Sequence, residues 1–210
     1  MKAILKRDFY QIRKNFLLAF GIIVLSQLQV IIGLIRGHVE LDALIFFTMV
    51  NGMMFASTGY GSYSNDLDTK FLEYMRSMPI SLEDYGTEKI LLSVLPSTFI
   101  ISIIMLVFKL RIKTDINVFL LWAILLLFSI IIGIGALVLL IKFGKNSKIA
   151  RNILMAVFII TLLSFFAGFF AAQKINLFLN YYVLGILMIA FILILLLYKK
   201  VWKKEMEALR

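Results

Sequence analysis

Few residues in this chain are equipped for chemistry. There is one histidine, His38, and no cysteine, which excludes a His-based ligand cluster within one chain, a thiolate metal site, a disulfide and a cysteine nucleophile. An intramembrane serine protease needs a G-x-S-G serine faced by a histidine that takes the hydroxyl proton. The motif is missing, and His38 lies outside every apolar run. A membrane metallopeptidase would need a glutamate pair and histidine ligands inside such a run, and neither is present. Gly144-Lys145-Asn146-Ser147 has a superficial likeness to a phosphate loop, but Leu139 stands where G-x-x-x-x-G-K-[ST] requires glycine, and Asn146 follows the lysine. Gly133-Ile134-Gly135 is no dinucleotide fingerprint, since it sits in mid-run with no strand before it. Within the apolar runs the strongest polar groups are the amides Gln27, Gln29 and Asn51. They can bond one helix to another or line a polar path, and joining helices is the commoner use.

The elements that must position these groups follow from composition. The 210 residues are 62% hydrophobic with a mean hydropathy of +0.98, where a soluble domain holds about 45–50% apolar residues. Apolar runs occupy 16–35, 44–63, 90–108, 119–141, 153–172 and 181–198, and each is long enough to cross a hydrocarbon core of about 30 Å as a helix. The expected fold is an all-α integral membrane protein with six transmembrane helices in one domain spanning 1–210. The first run is expected to be a retained span, because no small-x-small cleavage site follows it. The longest connection, 64–89, is too short for a catalytic or nucleotide-hydrolysing domain. The chain is therefore expected to bind no cofactor and to take any driving energy from elsewhere. None of the runs contains Asp, Glu, Lys, Arg or His, which counts against a proton-driven carrier.

Basic residues set the expected orientation, since cytoplasmic loops carry an excess of Lys and Arg. With both termini cytoplasmic, all 22 fall inside except Arg36, Lys109, Arg111, Lys113 and Lys174. The net charge of +10 then reads as topology in a cell membrane. A nucleic-acid role is disfavoured, because the charge is spread over several short loops.

Small residues recur at small-x-x-x-small spacing: Gly52 with Ala56 and Ser57 with Gly61 in the second run, and Ser164, Gly168 and Ala172 in the fifth. Close packing inside the bundle is the expected use, ahead of a ligand site.

Two amphipathic segments carry opposite charge. Leu5, Phe9, Ile12 and Phe16 fall on one helical face, with Lys6, Arg7, Gln11, Arg13 and Lys14 around the rest. Such a helix is expected to lie in the headgroups of an anionic leaflet as an interfacial elbow. In 64–89, Asp68 can cap a short helix on which Phe71, Tyr74, Met75 and Met78 share a face, and Pro79 ends it. Ser81-Leu82-Glu83-Asp84 then starts a new helix, with Ser81 as N-cap and acids in the first turn. Six acids, Asp66, Asp68, Glu73, Glu83, Asp84 and Glu88, outnumber Lys70, Arg76 and Lys89. An acidic segment gains nothing from an anionic leaflet, so its apolar face is expected to dock on a cytoplasmic protein. The plainer alternative is that it folds back on its own bundle.

At this loop the sequence resembles the permease subunits of ABC-2 type ABC transporters, in particular the short six-span family whose ATPase is a separate chain. The likeness rests on the basic N-terminal elbow, on Asn65-Asp66-Leu67-Asp68, and on Tyr74-Met75-Arg76-Ser77-Met78-Pro79-Ile80-Ser81 before a helix into the third span. Where the family commonly has a basic residue after Pro-Ile-Ser, this chain has Leu82 and then acids. The resemblance covers the whole chain as span layout and residues 64–95 in detail. It implies a second copy of the permease or a related chain, and cytoplasmic ATPase subunits that hold ATP and Mg. It further implies a short coupling helix, on which Lys70, Phe71, Glu73, Tyr74, Met75, Arg76 and Met78 would contact the ATPase. The Lys- and Ile-rich composition is similar to Gram-positive members of phenol-soluble-modulin exporter type, which implies a peptide or other amphipathic substrate. Two rival readings are a peptide-sequestering bacteriocin-immunity protein and the substrate-capturing subunit of an energy-coupling-factor importer.

Overall fold

The computed structural model describes residues 32–33, 36, 41–69, 71, 81–111, 116–144, 152–153, 156 and 181–209. Its elements are α1 (Leu41–Ala56), α2 (Thr58–Asp68), α3 (Leu82–Arg111), α4 (Val118–Phe143) and α5 (Tyr181–Leu209). Three of them, α3, α4 and α5, are each long and apolar enough to cross a membrane. The expected first and fifth spans, the elbow residues Leu5, Phe9, Ile12 and Phe16, and the amides Gln27 and Gln29 lie outside the described residues.

The second expected span, 44–63, becomes two helices. Ser57 interrupts it, although the ladder bridges the break through Ser57 N–H to Met53 O at 2.9 Å and Gly61 N–H to Ser57 O at 3.0 Å. The cause is local. Ser57 and Thr58 turn their hydroxyls onto the Met54 and Phe55 carbonyls, and back-bonding of this kind weakens and bends a helix. Glycines at 59 and 61 add little helical preference.

Asp68 is the last residue of α2, and Thr69 closes that helix by donating its N–H to Asn65 O at 3.0 Å; of the residues that Asp68 was expected to cap, only Phe71 is among those described, and it is helical. The start of α3 agrees with the sequence. Asp84 N–H donates to Ser81 Oγ at 3.0 Å, with Glu83 and Asp84 in the first turn. At α4, Leu120 N–H donates to Asn117 Oδ1 at 3.1 Å, and the helix stops at Gly144, whose φ of 75° suits a residue without Cβ.

The middle of the packing is α4. Of its most apolar stretch 61% is buried, against 28% for α3 and 6% for α5. Two apolar clusters sit along it. Leu44, Ile101, Met105, Phe108, Leu121 and Leu125 fill the end nearer the start of α4. Tyr63, Tyr85, Ile134, Leu137, Ile141, Tyr198 and Trp202 belong to the cluster at the other end. The second cluster gathers the end of α2, the start of α3 and the later part of α5. The two ends of the 64–89 connection and the lysines at 199–204 therefore share one end of the bundle.

Candidate functional site

The site lies where α2 leaves and α3 re-enters the bundle. Three turns of α2 and two of α3 alternate small, aromatic and charged residues: Gly59, Ser62, Tyr63 and Asp66 on one side, Tyr85, Gly86, Lys89 and Ser93 on the other. Gly59 allows the approach, because a Cβ there would collide with the Lys89 carbonyl oxygen and the Ser93 hydroxyl. The two helices are thereby held close enough for short polar side chains to meet.

Asp66 and Lys89 form an ion pair at 2.8 Å, with side-chain exposures of 1% and 0%. Tyr85 donates its hydroxyl to Asp66 Oδ2 at 2.5 Å. Lys89 Nζ also donates to Ser62 Oγ at 2.5 Å and lies 4.7 Å from the centroid of the Tyr85 ring. A buried pair of charges stands only when each partner is neutralised and its remaining donors and acceptors are met. Here the carboxylate takes two donors, and the ammonium has a carboxylate, a hydroxyl and a ring face. Glu88, next in sequence to Lys89, is buried as well.

An aromatic cover closes the cluster. Trp202 of α5 stacks on Tyr198 at 5.9 Å and 10°, and meets Tyr85 at 5.6 Å and Tyr63 at 6.0 Å. Its indole lies against Gly86, where an added Cβ would sit 2.7 Å from Nε1. Tyr198 donates its hydroxyl to Gly86 O at 2.8 Å. Three helices are thus joined within one layer.

The expected sites fall out as follows. Phe71 is half-buried, with its ring 6.3 Å from that of Tyr85; at this position the connection packs on its own bundle. Lys70, Glu73, Tyr74, Met75, Arg76 and Met78 lie outside the described residues. Asn51 is on α1, 1% exposed. Among the described residues neither its Oδ1 nor its Nδ2 has a hydrogen-bond partner, and the same holds for Thr48 Oγ1 one turn away. Of the small-residue stripes, Gly52 and Ala56 pack closely on α4, at Ser129 and Gly133. Ser57 and Gly61 are exposed, and nothing lies within 4 Å of a Cβ at Gly61. The stripe Ser164, Gly168 and Ala172 lies outside the described residues.

Sequence reasoning counted Asp66, Glu88 and Lys89 among the charges of an exposed loop, and this is corrected: all three are buried. A signal was available. Tyr63 and Asp66, and Tyr85 and Lys89, are spaced at i, i+3 and i, i+4, so each charge shares a helical face with an aromatic residue.

Among the described residues no group of three or more His, Cys, Asp or Glu side chains could hold a metal ion. What the arrangement does is mechanical: it ties both ends of the 64–89 connection to each other and to the last helix. No curated protein and no solved structure matches the chain. The family described as ABC-2 family transporter protein matches residues 3–199. With a multi-pass apolar bundle and a match across nearly its whole length, the chain belongs to the ABC-2 family of transporter membrane proteins.

Proposed function

We propose that this chain is the permease subunit of an ATP-driven exporter, worked by a separate cytoplasmic ATPase that docks on the segment between α2 and α3. The observation that carries the reading is the buried layer of Asp66, Lys89, Tyr85 and Trp202 at the base of that segment. A push on a connection whose two ends are tied moves both helices together. A push on untied ends would be spent in the loop. The family as a whole works with a cytoplasmic ATPase partner, which supplies the energy that a chain of this layout lacks.

In this reading ATP and Mg are held by the partner, and this chain hydrolyses nothing. Both termini are cytoplasmic, and a second copy or a related chain completes the pathway. The shared face of Tyr74, Met75 and Met78 meets the ATPase, with Lys70, Glu73 and Arg76 setting register. Phe71 contributes from its seat against Tyr85. The exported molecule is a peptide or another amphipathic compound, in keeping with an apolar bundle.

Affinity purification of the tagged chain in mild detergent tests this reading. Wild type is expected to recover a soluble ABC ATPase at about one per permease, as two docking sites in a permease pair require, and Tyr74→Ala/Met78→Ala to lose it while remaining monodisperse. Recovery of no ATPase under conditions that preserve other permease complexes would favour a peptide-sequestering immunity protein.

A further inference from the structure

The break in the second expected span meets a proline inside the third. Pro96 lies inside α3. Having no N–H, it leaves the carbonyl four residues earlier, that of Leu92, without its helical donor. Thr58, the first residue of α2 after the Ser57 break, reaches that carbonyl with its hydroxyl. The same hydroxyl reaches the Phe55 carbonyl of its own chain segment. One proton thus serves two acceptors, one on each helix.

The surroundings of Pro96 are built to bend. Ser97 Oγ donates to Ser93 O at 2.8 Å and Thr98 Oγ1 to Val94 O at 2.7 Å, and hydroxyls that re-satisfy backbone in this way accompany bent helices. On the loop side of this level, α2 and α3 are held to each other by the Gly59 contact and the Asp66–Lys89 pair. On the far side, α1 is held to α4. A Cβ at Gly133 would lie 2.6 Å from Ala56 Cβ, and one at Gly52 would lie 2.7 Å from Ile101 Cδ1 and 3.0 Å from Ser129 Cβ.

We propose that residues 58–68 and 82–95, carrying with them the Tyr198–Trp202 end of α5 that is bound to Gly86 and Tyr85, move as one lever about a hinge at Thr58 and Pro96, while α1 and α4 stay fixed to each other. The lever rests on the fold alone; its use in transport rests on the proposed ATPase coupling. Donation of the Thr58 proton to Leu92 or to Phe55 gives the hinge two hydrogen-bonded settings. A displacement of the connection is then delivered at the depth of Thr58 and Pro96.

The chain has no cysteine, so spin labels can be placed cleanly. In lipid nanodiscs, with labelled chain diluted in unlabelled chain, Thr87→Cys is paired with Lys142→Cys across the lever and α4, and with Asp68→Cys within the lever; all three positions are exposed. The Thr87–Lys142 distance distribution is expected to be at least about twofold broader than the Thr87–Asp68 one, as hinge motion between two rigid bodies requires. Pro96→Ala, alone or with Thr58→Val, should narrow the first to the width of the second. Equal widths in wild type, or an unchanged width in monodisperse Pro96→Ala, would overturn the hinge. Narrowing by Pro96→Ala in a chain that retains no ATPase supports the hinge and discards its coupling role.

Discussion

The ammonium of Lys89 lies 2.8 Å from the carboxylate of Asp66, and both side chains are shut away from solvent. Each charge offsets part of the cost of burying the other. Lys89→Met alone removes the cation beside buried Asp66, at a cost of about 3–5 kcal/mol. Asp66→Asn/Lys89→Met removes both charges and keeps an acceptor for Tyr85, so it should recover most of that loss. Thermal unfolding in detergent, followed by the fluorescence of Trp122 and Trp202, distinguishes the two. A double variant as unstable as the single one would show that the pair is not the source of the effect.

Glycines that look alike in sequence should respond oppositely. Gly133→Ala drives a methyl group into the Ala56 backbone and should cost about 1–3 kcal/mol by overpacking. Gly61→Ala meets open space on a helix and should gain about 0.4–1 kcal/mol by restricting the unfolded chain. Melting temperatures of the two variants against wild type provide the check.

Trp202 covers three tyrosine rings and Gly86. Trp202→Ala is expected to destabilise the chain by about 3–5 kcal/mol, and Trp202→Phe by clearly less, since a ring still fills the layer. Limited proteolysis after residue 198 should follow the same order, with fastest cleavage in the alanine variant.

Phe71 and Tyr74 share a helical face in the sequence but should part company in experiment. Phe71 packs on Tyr85, so Phe71→Ala should lower the stability of the isolated chain by about 1–2 kcal/mol, below the range for a fully buried ring. Tyr74→Ala should leave unfolding unchanged and reduce ATPase recovery. Identical effects of the two substitutions on both readouts would place them in the same contact.

Much of the bundle could be read from the sequence because bilayer thickness and capping act locally. The apolar runs mark α3, α4 and α5, and Ser81-Leu82-Glu83-Asp84 marks where α3 begins. The polar cluster was less legible for a physical reason. Asp66 and Lys89 lie on different helices, and whether a charge beside an apolar run faces water or a counter-charge depends on how those helices dock. Pro96 likewise announces that Leu92 lacks a donor, but only the packing of α2 on α3 shows that Thr58 fills the gap. The break at Ser57 was hidden for the opposite reason: the run 44–63 is apolar enough overall to mask a local competition for carbonyls.

The aromatic cover has a consequence for biogenesis. Tyr198, whose hydroxyl satisfies the Gly86 carbonyl, is synthesised 112 residues after it. Through the insertion of α4 and everything up to α5, the nascent chain must therefore carry the Asp66–Lys89 layer without its lid. A ribosome stalled before Tyr198 would leave that layer without its aromatic cover.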